Sequence, residues 1–411
     1  MKPDVVAVGG GLAAQRFCET LRRNGYEGPI RLVAGEPERP YDRPPLSKEF
    51  LAGSAGADDL ALRPARWYAD NAVELLLGER AAGLEPDRRR VRLEGGRRLK
   101  YDDLLIATGS EPRRLPQFDG YANVHYLRTL ADAAALRAAL TPGARIAIVG
   151  AGFIGQEVAA TARRLGAEVT IVEALAAPLE RIVGSVLGRW FADLHRAEGV
   201  EVLLRRTVIG LKGNECVEAL VLDDGRRIAC DAVVVGVGVK PATGWLQGSG
   251  LSPGGVAVDP EGRTAIPRVY AAGDAALAFD PAAGTHVRSE HWEAAARQGA
   301  AAARALLGLP AEPCTPSTFW SDQYGVRIQH VGNGAGADSV ELDGDPDTRS
   351  FTAVYRRRSL PVAALLVGRP RELPEIRRRL ARHVDHQEQD TGDRTRSRNA
   401  PADEVLLGAN R

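Results

Sequence analysis

The chain has 411 residues, which is enough for two or three domains that each bury their own core. Its formal net charge is +1, and this near-neutral balance argues against a general nucleic-acid binder. The composition, 44% hydrophobic and 26% charged, is typical of a soluble globular protein, and no apolar run approaches the roughly eighteen residues of a membrane span. A strand is predicted almost at the first residue, which leaves no room for a signal peptide, so we expect a cytoplasmic protein.

The cysteines and histidines form no recognisable metal pattern. There is no CxxC pair and no zinc-like cluster, so we expect no metal site. His383 and His386 have helical spacing but no third ligand, and we expect them on the surface. The four cysteines are Cys18, Cys216, Cys230 and Cys314.

The N-terminus predicts a strand, a glycine turn, a helix and a second strand. The run at 4–8 is short and β-branched, as in a buried parallel strand, and GGGLAA at 9–14 leads into a helix that ends near Asn24. A strand at 30–33 is followed by Glu36. This is the G-x-G-x-x-A fingerprint of a dinucleotide-binding βαβ unit, in which an acid after the second strand accepts hydrogen bonds from ribose hydroxyls.

The two glycines of this fingerprint have separate physical roles. Gly9 allows the tight turn, and Gly11 lets the backbone approach a pyrophosphate. The free amides and the dipole of the helix N-terminus then favour the bound anion.

A stiff cationic loop, YDRPPLSK at 41–48, follows this unit. Pro44 and Pro45 fix its backbone and remove two amide donors. Arg43 and Lys48 place a cation on either side of the prolines. Such a loop beside a nucleotide site is a candidate to cover a bound cofactor, and it contains no cysteine.

Short elements lead from this loop to a first domain boundary. A strand closes on the small-residue turn Ala107-Thr108-Gly109-Ser110, and the run after it is predicted to be a linker. The predicted elements are a helix at 59–71, a strand at 73–77, an antiparallel pair at 91–93 and 99–101, a strand at 101–107 and the linker at 111–116.

A second βαβ unit follows. It has a strand at 145–149, GAGFIG at 150–155, a helix to Leu165, a strand at 169–172 and a terminal acid, Glu173. One such fingerprint is weak evidence, but two in one chain are a strong signal for two dinucleotide sites.

Glu173 bears on the choice of nucleotide. A carboxylate here bonds a ribose 2′-hydroxyl and repels a 2′-phosphate, so NADH should be preferred over NADPH. Arg181, eight residues further on, either softens that preference or is a solvated helix residue.

The rest of the chain predicts more parallel sheet and then a small α+β domain. The alanine-rich helix is expected to bury its small face against a sheet. The predicted elements are strands at 200–204 and 231–235, a hairpin at 217–222 and 227–230, a glycine turn and second boundary at 236–241, a strand at 269–272, a helix at 293–307, strands at 327–331, 351–355 and 362–367, a helix near 375–382 and a polar tail.

Seven motifs together resemble the ferredoxin reductases of oxygenase systems, within the flavoproteins that have two dinucleotide-binding domains. The resemblance covers about 4–382. The motifs are PYDRPPLSK at 40–48, LLIATGS at 104–110, YLRTL at 126–130, VGAGFIGQE at 149–157, YAAGD at 270–274, SEHW at 289–292 and FWSDQY at 319–324.

The resemblance implies an α/β fold of the glutathione-reductase type, with two Rossmann-like domains and a small α+β C-terminal domain. It implies an FAD-binding domain made of 1–112 and 241–314, an NAD-binding domain at 113–240 and a C-terminal domain at 315–386. We expect residues 387–411 to be disordered.

The resemblance also implies roles for individual residues. Lys48 lies near flavin N5, Glu157 orients the nicotinamide carboxamide and Trp320 lines the flavin near the surface; these three are the catalytic candidates. The implied FAD contacts are Gly9, Gly11, Ala13, Ala14, Glu36, Arg43, Pro45, Lys48, Ala81, Ala107, Thr108, Gly109, Arg128, Gly273, Asp274, His291 and Trp292. The implied NAD contacts are Gly150, Gly152, Ile154, Gly155, Glu157, Glu173, Arg181 and Gly238.

The implied activity is hydride transfer from NADH to FAD and then single-electron transfer to an iron–sulfur ferredoxin that feeds a cytochrome P450 or a Rieske-type dioxygenase. We expect an acidic ferredoxin, steered by Arg63, Arg66 or Arg356–Arg358, although ordinary solvated arginines would look the same. Neither nucleic acid nor membrane is an expected partner, and the protein is expected to be a monomer or weak homodimer.

Two other functions fit the same fold. A disulfide reductase or NADH oxidase needs a redox cysteine beside the flavin, and the loop at 41–50 contains none. A non-enzymatic NADH-sensing flavoprotein like apoptosis-inducing factor fits the SEHW motif, but the chain lacks a long insertion or a basic DNA-binding surface.

Overall fold

The computed structural model describes residues 2–280, 284–312 and 316–381. The elements of the first third are β1 (Val5–Val8), α1 (Leu12–Arg23), β2 (Ile30–Ala34), α2 (Ala65–Asp70), β3 (Val73–Leu77), β4 (Ala81–Glu85), β5 (Arg90–Leu93), β6 (Arg98–Lys100), β7 (Asp103–Ile106), β8 (Ser110–Pro112) and β9 (Val124–His125).

The middle third contains the second βαβ unit and a small antiparallel sheet. Its elements are α3 (Leu130–Ala139), β10 (Arg145–Val149), α4 (Phe153–Arg164), β11 (Glu168–Glu173), α5 (Glu180–Ala197), β12 (Glu201–Leu204), β13 (Val208–Lys212), β14 (Ala219–Leu222), β15 (Arg227–Ala229), β16 (Ala232–Val235) and β17 (Val239–Pro241).

The last third returns to the first sheet and then forms a separate sheet. Its elements are β18 (Val256–Val258), β19 (Val269–Ala271), β20 (Ala276–Asp280), β21 (Thr285–Val287), α6 (Trp292–Leu306), β22 (Thr318–Gln323), β23 (Val326–Gly332), β24 (Ser339–Asp345), β25 (Ser350–Arg357), β26 (Leu360–Val367) and α7 (373–381).

The first large sheet is parallel and has the order β19-β7-β1-β2-β3. All four residues of β1 are buried, because both faces of the sheet are covered. Val5 and Ala7 pack in the core shared with α1 and α6, whereas Val6 and Val8 pack with the antiparallel strand β5. The predicted N-terminal βαβ unit is confirmed.

The second large sheet is also parallel, in the order β12-β11-β10-β16-β9. Ile146 and Ile148 of β10 share a core with α4, and Ala147 and Val149 share the opposite core with the β13-β14-β15 sheet. The second βαβ unit is therefore confirmed, as is the hairpin that forms β14 and β15.

Two crossing segments connect these sheets. Strands β8 and β17 pair antiparallel, with Ser110 opposite Pro241 and Pro112 opposite Val239. The chain thus leaves the first sheet along β8 and comes back along β17, close to the two boundaries predicted from the sequence.

The C-terminal sheet is antiparallel, in the order β22-β23-β26-β25-β24. One face packs Phe351 and Leu365 against Phe191 of α5, and the other packs Leu366 against Leu380 of α7. The three predicted strands are confirmed. Strands β22 and β24 were not predicted; β24 alternates Val340 and Leu342 with polar residues, but every residue of the strand is exposed, so it buries no apolar face.

One local prediction is wrong, and another is incomplete. The helix predicted at 59–71 forms only at Ala65–Asp70, because Pro64 takes an extended conformation and disfavours helix in the residue before it. The alanine-rich helix α6 buries its small face against the first sheet, as predicted, because Ala302 and Ala303 share a core with Val5 and Ala7 of β1, and it also packs closely on α1. A Cβ at Gly299 would lie 2.1 Å from the carbonyl oxygen of Ala13, which shows how closely the two helices approach.

Among the described residues, no helix is long and apolar enough to cross a membrane, and no group of three or more His, Cys, Asp or Glu could hold a metal ion. Cys314, the histidines at 383 and 386 and the tail at 387–411 lie outside the described residues.

Candidate active site

The first glycine loop lies against the end of β7. Gly9 has φ +133°, and a Cβ there would lie 2.0 Å from the carbonyl oxygen of Ala107, so only glycine fits. At Gly11, by contrast, no described atom lies within 4 Å of an added Cβ. No side chain of the described residues caps α1, whose first amides begin here. The loop is therefore an open anion cradle at a helix N-terminus.

The turn after β7 presents an unused polar atom to the same region. The Oγ1 atom of Thr108 is buried and has no hydrogen-bond partner among the described residues. Buried hydroxyls are normally paired, so a hydroxyl left over beside a glycine loop indicates a missing polar partner. This observation, with the open cradle at Gly11, fits a bound dinucleotide.

Two arginines converge on this cradle. Arg43 Nη2 lies 2.7 Å from Glu36 Oε1, and its Nη1 donates to the carbonyl oxygen of Arg128 at 2.5 Å. Arg128 Nη2 lies 3.4 Å from Asp274 Oδ2, which also accepts from Ser110. Burial and the charge of Arg43 lower the pKa of Arg128. Each arginine faces a carboxylate, Glu36 for Arg43 and Asp274 for Arg128, so two ion pairs lie side by side here.

Glu36 is more occupied than the sequence suggests. It lies two residues beyond β2, as predicted, but besides the ion pair with Arg43 its Oε2 accepts a hydrogen bond of 2.5 Å from Tyr41. The acid therefore ties the 41–48 loop to the first sheet. Ala81, the predicted adenine contact, begins β4 and pairs with Leu93.

The second glycine loop repeats the first. A Cβ at Gly150 would lie 2.5 Å from the carbonyl oxygen of Gly236, and one at Gly155 would lie 2.3 Å from that of Gly150. At Gly152 the nearest described atom is 3.8 Å away, so this loop is also open. Ile154 beside it is 45% exposed, which is unusual for an apolar residue at the start of a helix.

Glu173 ends β11 beside this loop. Its carboxylate accepts the amide of Ala151 at 2.6 Å and the amide of Leu175 at 2.8 Å. Arg181 is exposed on α5, and Gly238 (φ +97°) lies just before β17. Of the predicted NAD contacts, Glu173 thus lies at the open loop formed by Gly150–Gly155.

A buried ion pair joins the 41–48 loop to the second βαβ unit. Lys48 Nζ lies 2.6 Å from Glu157 Oε2, and their side chains are only 10% and 4% exposed. Ser47 Oγ donates to the same oxygen at 2.5 Å, and Ser321 Oγ donates to Oε1 at 2.7 Å. The Lys48 ammonium also donates to the carbonyl oxygen of Pro44 at 3.2 Å. The Lys48–Glu157 ion pair is therefore held in place by hydrogen bonds from Ser47 and Ser321 to the carboxylate and from the ammonium to Pro44.

The predicted tryptophans meet near this loop. Trp292 and Trp320 pack edge to face with ring centroids 5.8 Å apart, and Trp292 Nε1 donates to Asp42 Oδ1 at 2.6 Å. His291 stacks on Phe319 at 4.4 Å, and burial lowers its pKa.

The proposed steering arginines divide into two groups. Arg63 lies 2.7 Å from Glu19, which also pairs with Arg16, and Arg66 is exposed nearby. Arg356 and Arg357 end strand β25 and Arg358 follows it, three strands away from the β22 strand that carries Trp320.

Sequence reasoning missed Ser47, Ser321 and Asp42 as site residues. Each lies within one of the seven sequence motifs, but the motif does not show which of its side chains contacts Glu157 or Trp292. That information depends on how α4, α6 and β22 pack around the loop.

Comparisons with known proteins agree with this geometry. Residues 3–299 match the model of the pyridine nucleotide-disulphide oxidoreductases, and residues 318–398 match the reductase C-terminal domain. The chain belongs to the pyridine nucleotide-disulphide oxidoreductase family.

Within that family it is similar to ferredoxin reductases. It is 40% identical over 366 residues to the ferredoxin–NAD(P)+ reductase of Sphingomonas sp., covering 88% of each chain. It is 34% identical over 415 residues to putidaredoxin reductase of Pseudomonas putida, covering 99% of this chain and 97% of the relative.

Solved structures give the same result. The reductase in the covalent putidaredoxin reductase–putidaredoxin complex superposes with a TM-score of 0.89 at 34% identity, over 92% of this chain and 93% of that one. An NAD-dependent persulfide reductase from A. fulgidus, with a TM-score of 0.79 at 22% identity over 89% of this chain and 74% of that one, shows the same fold.

Proposed function

We propose that the chain is an FAD-dependent NADH:ferredoxin reductase that feeds an oxygenase, either a cytochrome P450 or a Rieske-type dioxygenase. The relatives named above support the reductase activity. Bound FAD supplies the chemistry that amino acids lack, since it takes two electrons together from NADH and releases them singly.

The observation that carries the proposal is the buried Lys48–Glu157 pair in the loop that follows the first βαβ unit. Thiol-reducing enzymes of this fold need a redox cysteine there, and this segment has none. Burial raises the pKa of Cys18 to about 12 and that of Cys230 to about 11, so neither forms a thiolate at neutral pH. Because the 41–50 segment offers no thiol, we infer that the electrons leave for an external acceptor.

Residues of the first glycine loop and the loop that follows it would bind FAD. Gly9, Gly11 and the start of α1 would bind the FAD pyrophosphate, with Arg43 and Arg128 balancing its charge. Thr108 would give its unpaired hydroxyl to the same cofactor. The remaining proposed FAD contacts are those that the sequence motifs imply.

The second loop would hold NADH. Gly150, Gly152 and the start of α4 would bind its pyrophosphate, and Glu173 would meet the adenosine ribose and repel a 2′-phosphate. Glu157 would meet the nicotinamide carboxamide, while Lys48 would place a positive charge where negative charge accumulates on reduction.

We propose three domains: 1–112 with 241–314 for FAD, 113–240 for NAD and 315–386 for the C-terminal domain. The pairing of β8 with β17 supports both boundaries, and the return of β19 to the first sheet supports the discontinuous FAD domain.

The electron exit is proposed at Trp292 and Trp320, which are only partly buried. The partner would be an acidic ferredoxin that docks on this side. Arg63 and Arg66 suit that role better than Arg356–Arg358, because the latter lie at the end of β25, three strands away from the β22 strand that carries Trp320. We further propose a cytoplasmic monomer or weak homodimer.

The test is an electron-transfer assay. Purified protein should be yellow, NADH should bleach it without oxygen, and its slow reduction of cytochrome c should rise steeply when a ferredoxin encoded near its gene is added. Efficient reduction of oxygen or of a disulfide without any stimulation by ferredoxin would contradict the proposal.

A further inference from the structure

Glu157 is held by side chains from two other parts of the chain. Ser47 and Lys48 come from the loop after the first βαβ unit, and Ser321 comes from β22 of the C-terminal sheet. Both oxygens of the carboxylate are used: Oε2 by Lys48 and Ser47, and Oε1 by Ser321. Ser321 is fully buried, so water cannot replace it.

The direction of the hydrogen bonds at Ser321 is fixed. Gln323 Nε2 donates to Ser321 Oγ at 3.1 Å, so the single hydroxyl proton of Ser321 goes to Glu157. Ser47 is arranged similarly, because Lys48 Nζ donates to its Oγ at 3.4 Å and Glu157 Oε2, at 2.5 Å, is a nearer acceptor for its proton than the carbonyl oxygen of Pro44 at 3.4 Å. Two serines thus each accept from one neighbour and donate to one carboxylate oxygen.

The backbone behind each serine is rigid. In the β22–β23 ladder Ser321 lies opposite Ile328, and Gln323 lies opposite Val326. Thr161 Oγ1 donates to the carbonyl oxygen of Ser47 at 2.8 Å, which fastens the loop to α4. A carboxylate bound by fixed donors on both oxygens has one rotamer available to it.

We propose that Ser321 is a positioning residue for hydride transfer, through which the C-terminal sheet fixes the carboxylate of Glu157 for NADH. The inference rests on the proposed function, since it assumes that Glu157 faces the nicotinamide. It makes the C-terminal sheet a part of the NADH site, beyond the place of Trp320 near the flavin.

The experiment is a double-mutant cycle on the flavin-loaded protein. Ser321→Ala should lower the limiting rate of flavin reduction by NADH roughly tenfold, the effect of losing one hydrogen bond to a charged group, while the flavin content stays unchanged. In a Glu157→Gln background the same change should have little further effect, because Ser321 acts through Glu157. Ser321→Thr, which keeps the hydroxyl, should restore most of the rate.

A melting measurement provides a readout that does not depend on turnover. Ser321→Ala should lower the Tm of the protein as purified by a few degrees, and this loss should shrink in the Glu157→Gln background. The matched control is Ser339→Ala, an exposed serine on β24 of the same sheet, which should change neither rate nor Tm.

The outcomes distinguish a failure of the proposed reductase function from a failure of the proposed role of Ser321. If NADH fails to reduce the wild-type flavin, the proposed function fails, and the melting cycle still decides whether Ser321 acts through Glu157. If the wild-type flavin is reduced normally, two results would overturn the role of Ser321. One is a full rate of flavin reduction in Ser321→Ala, and the other is a loss of rate on Ser321→Ala that is as large in the Glu157→Gln background as in the wild type.

Discussion

Replacing Lys48 with methionine tests the buried ion pair directly, because methionine keeps much of the apolar stem and removes only the charge. Lys48 and Glu157 are 2.6 Å apart, with side chains 10% and 4% exposed. Removing one partner of such a pair costs about 3–5 kcal/mol, because the other charge stays buried and unpaired. Two serine hydroxyls still donate to Glu157, so we expect about 3 kcal/mol, the lower end of that range.

The same change should affect the reaction more than cofactor binding. We expect the limiting rate of flavin reduction by NADH to fall about 100-fold, as when one preorganised electrostatic contact is removed. The flavin should stay bound, because its pyrophosphate cradle at Gly11 is untouched. Anaerobic stopped-flow at saturating NADH measures the rate, and the visible spectrum measures the flavin content.

The control is Lys240→Met. Lys240 pairs with Glu111 at 3.0 Å, but both side chains are more than half exposed, so the change should cost less than about 1 kcal/mol and leave the rate unaltered. In the double variant Lys48→Met/Glu157→Gln the loss of stability should be smaller than the sum of the single losses. A normal reduction rate in Lys48→Met would remove the residue from the mechanism.

Three further predictions concern nucleotide choice, the glycine loops and pH. Glu173→Gln should raise the ratio of NADPH to NADH reduction rates roughly tenfold, because it removes the charge that repels a 2′-phosphate. Gly11→Val should yield folded protein without flavin, whereas Gly152→Val should keep the flavin and lose NADH reduction, since each side chain would enter an open cradle. Burial lowers the pKa of His195 to about 4 from an ordinary 6.5. Between those pH values the unfolded chain binds a proton that the folded chain does not. The free energy of unfolding should therefore fall by up to about 3 kcal/mol as the pH drops from about 6.5 to about 4. His195→Gln should lessen that fall.

Each of these has a clear contrary result. Equal rates with NADH and NADPH in the wild type would remove Glu173 from nucleotide selection. Gly11→Val protein that purifies with full flavin content would place the cofactor elsewhere. Melting temperatures that fall equally with pH in the wild type and in His195→Gln would exclude the histidine as a source of the effect.

The parts of the fold that sequence could predict are those governed by local rules. The buried strands β1 and β10 are short β-branched runs, and the turns after them begin with Gly9 and Gly150, each of which takes a positive φ that favours glycine. These features set the class of protein and the two glycine loops before any packing is known.

The parts it could not predict depend on packing between distant segments. The small residues of α6 predicted its packing on the first sheet, but they could not show that α1 also packs there, where a Cβ at Gly299 would lie 2.1 Å from the carbonyl oxygen of Ala13. Likewise the motif that contains Ser321 says nothing about Glu157, which is 164 residues away along the chain.

The 41–48 loop shows how the two kinds of information combine. Its sequence predicts a stiff cationic cover, yet a free cation there would be solvated and mobile. The fold instead buries Lys48 against Glu157 and ties the start of the loop to Glu36 through Arg43 and Tyr41. The loop is therefore fixed at both ends, carries a paired charge and contains no cysteine that could accept electrons. A fold widely used for thiol reduction therefore becomes an electron donor to another protein.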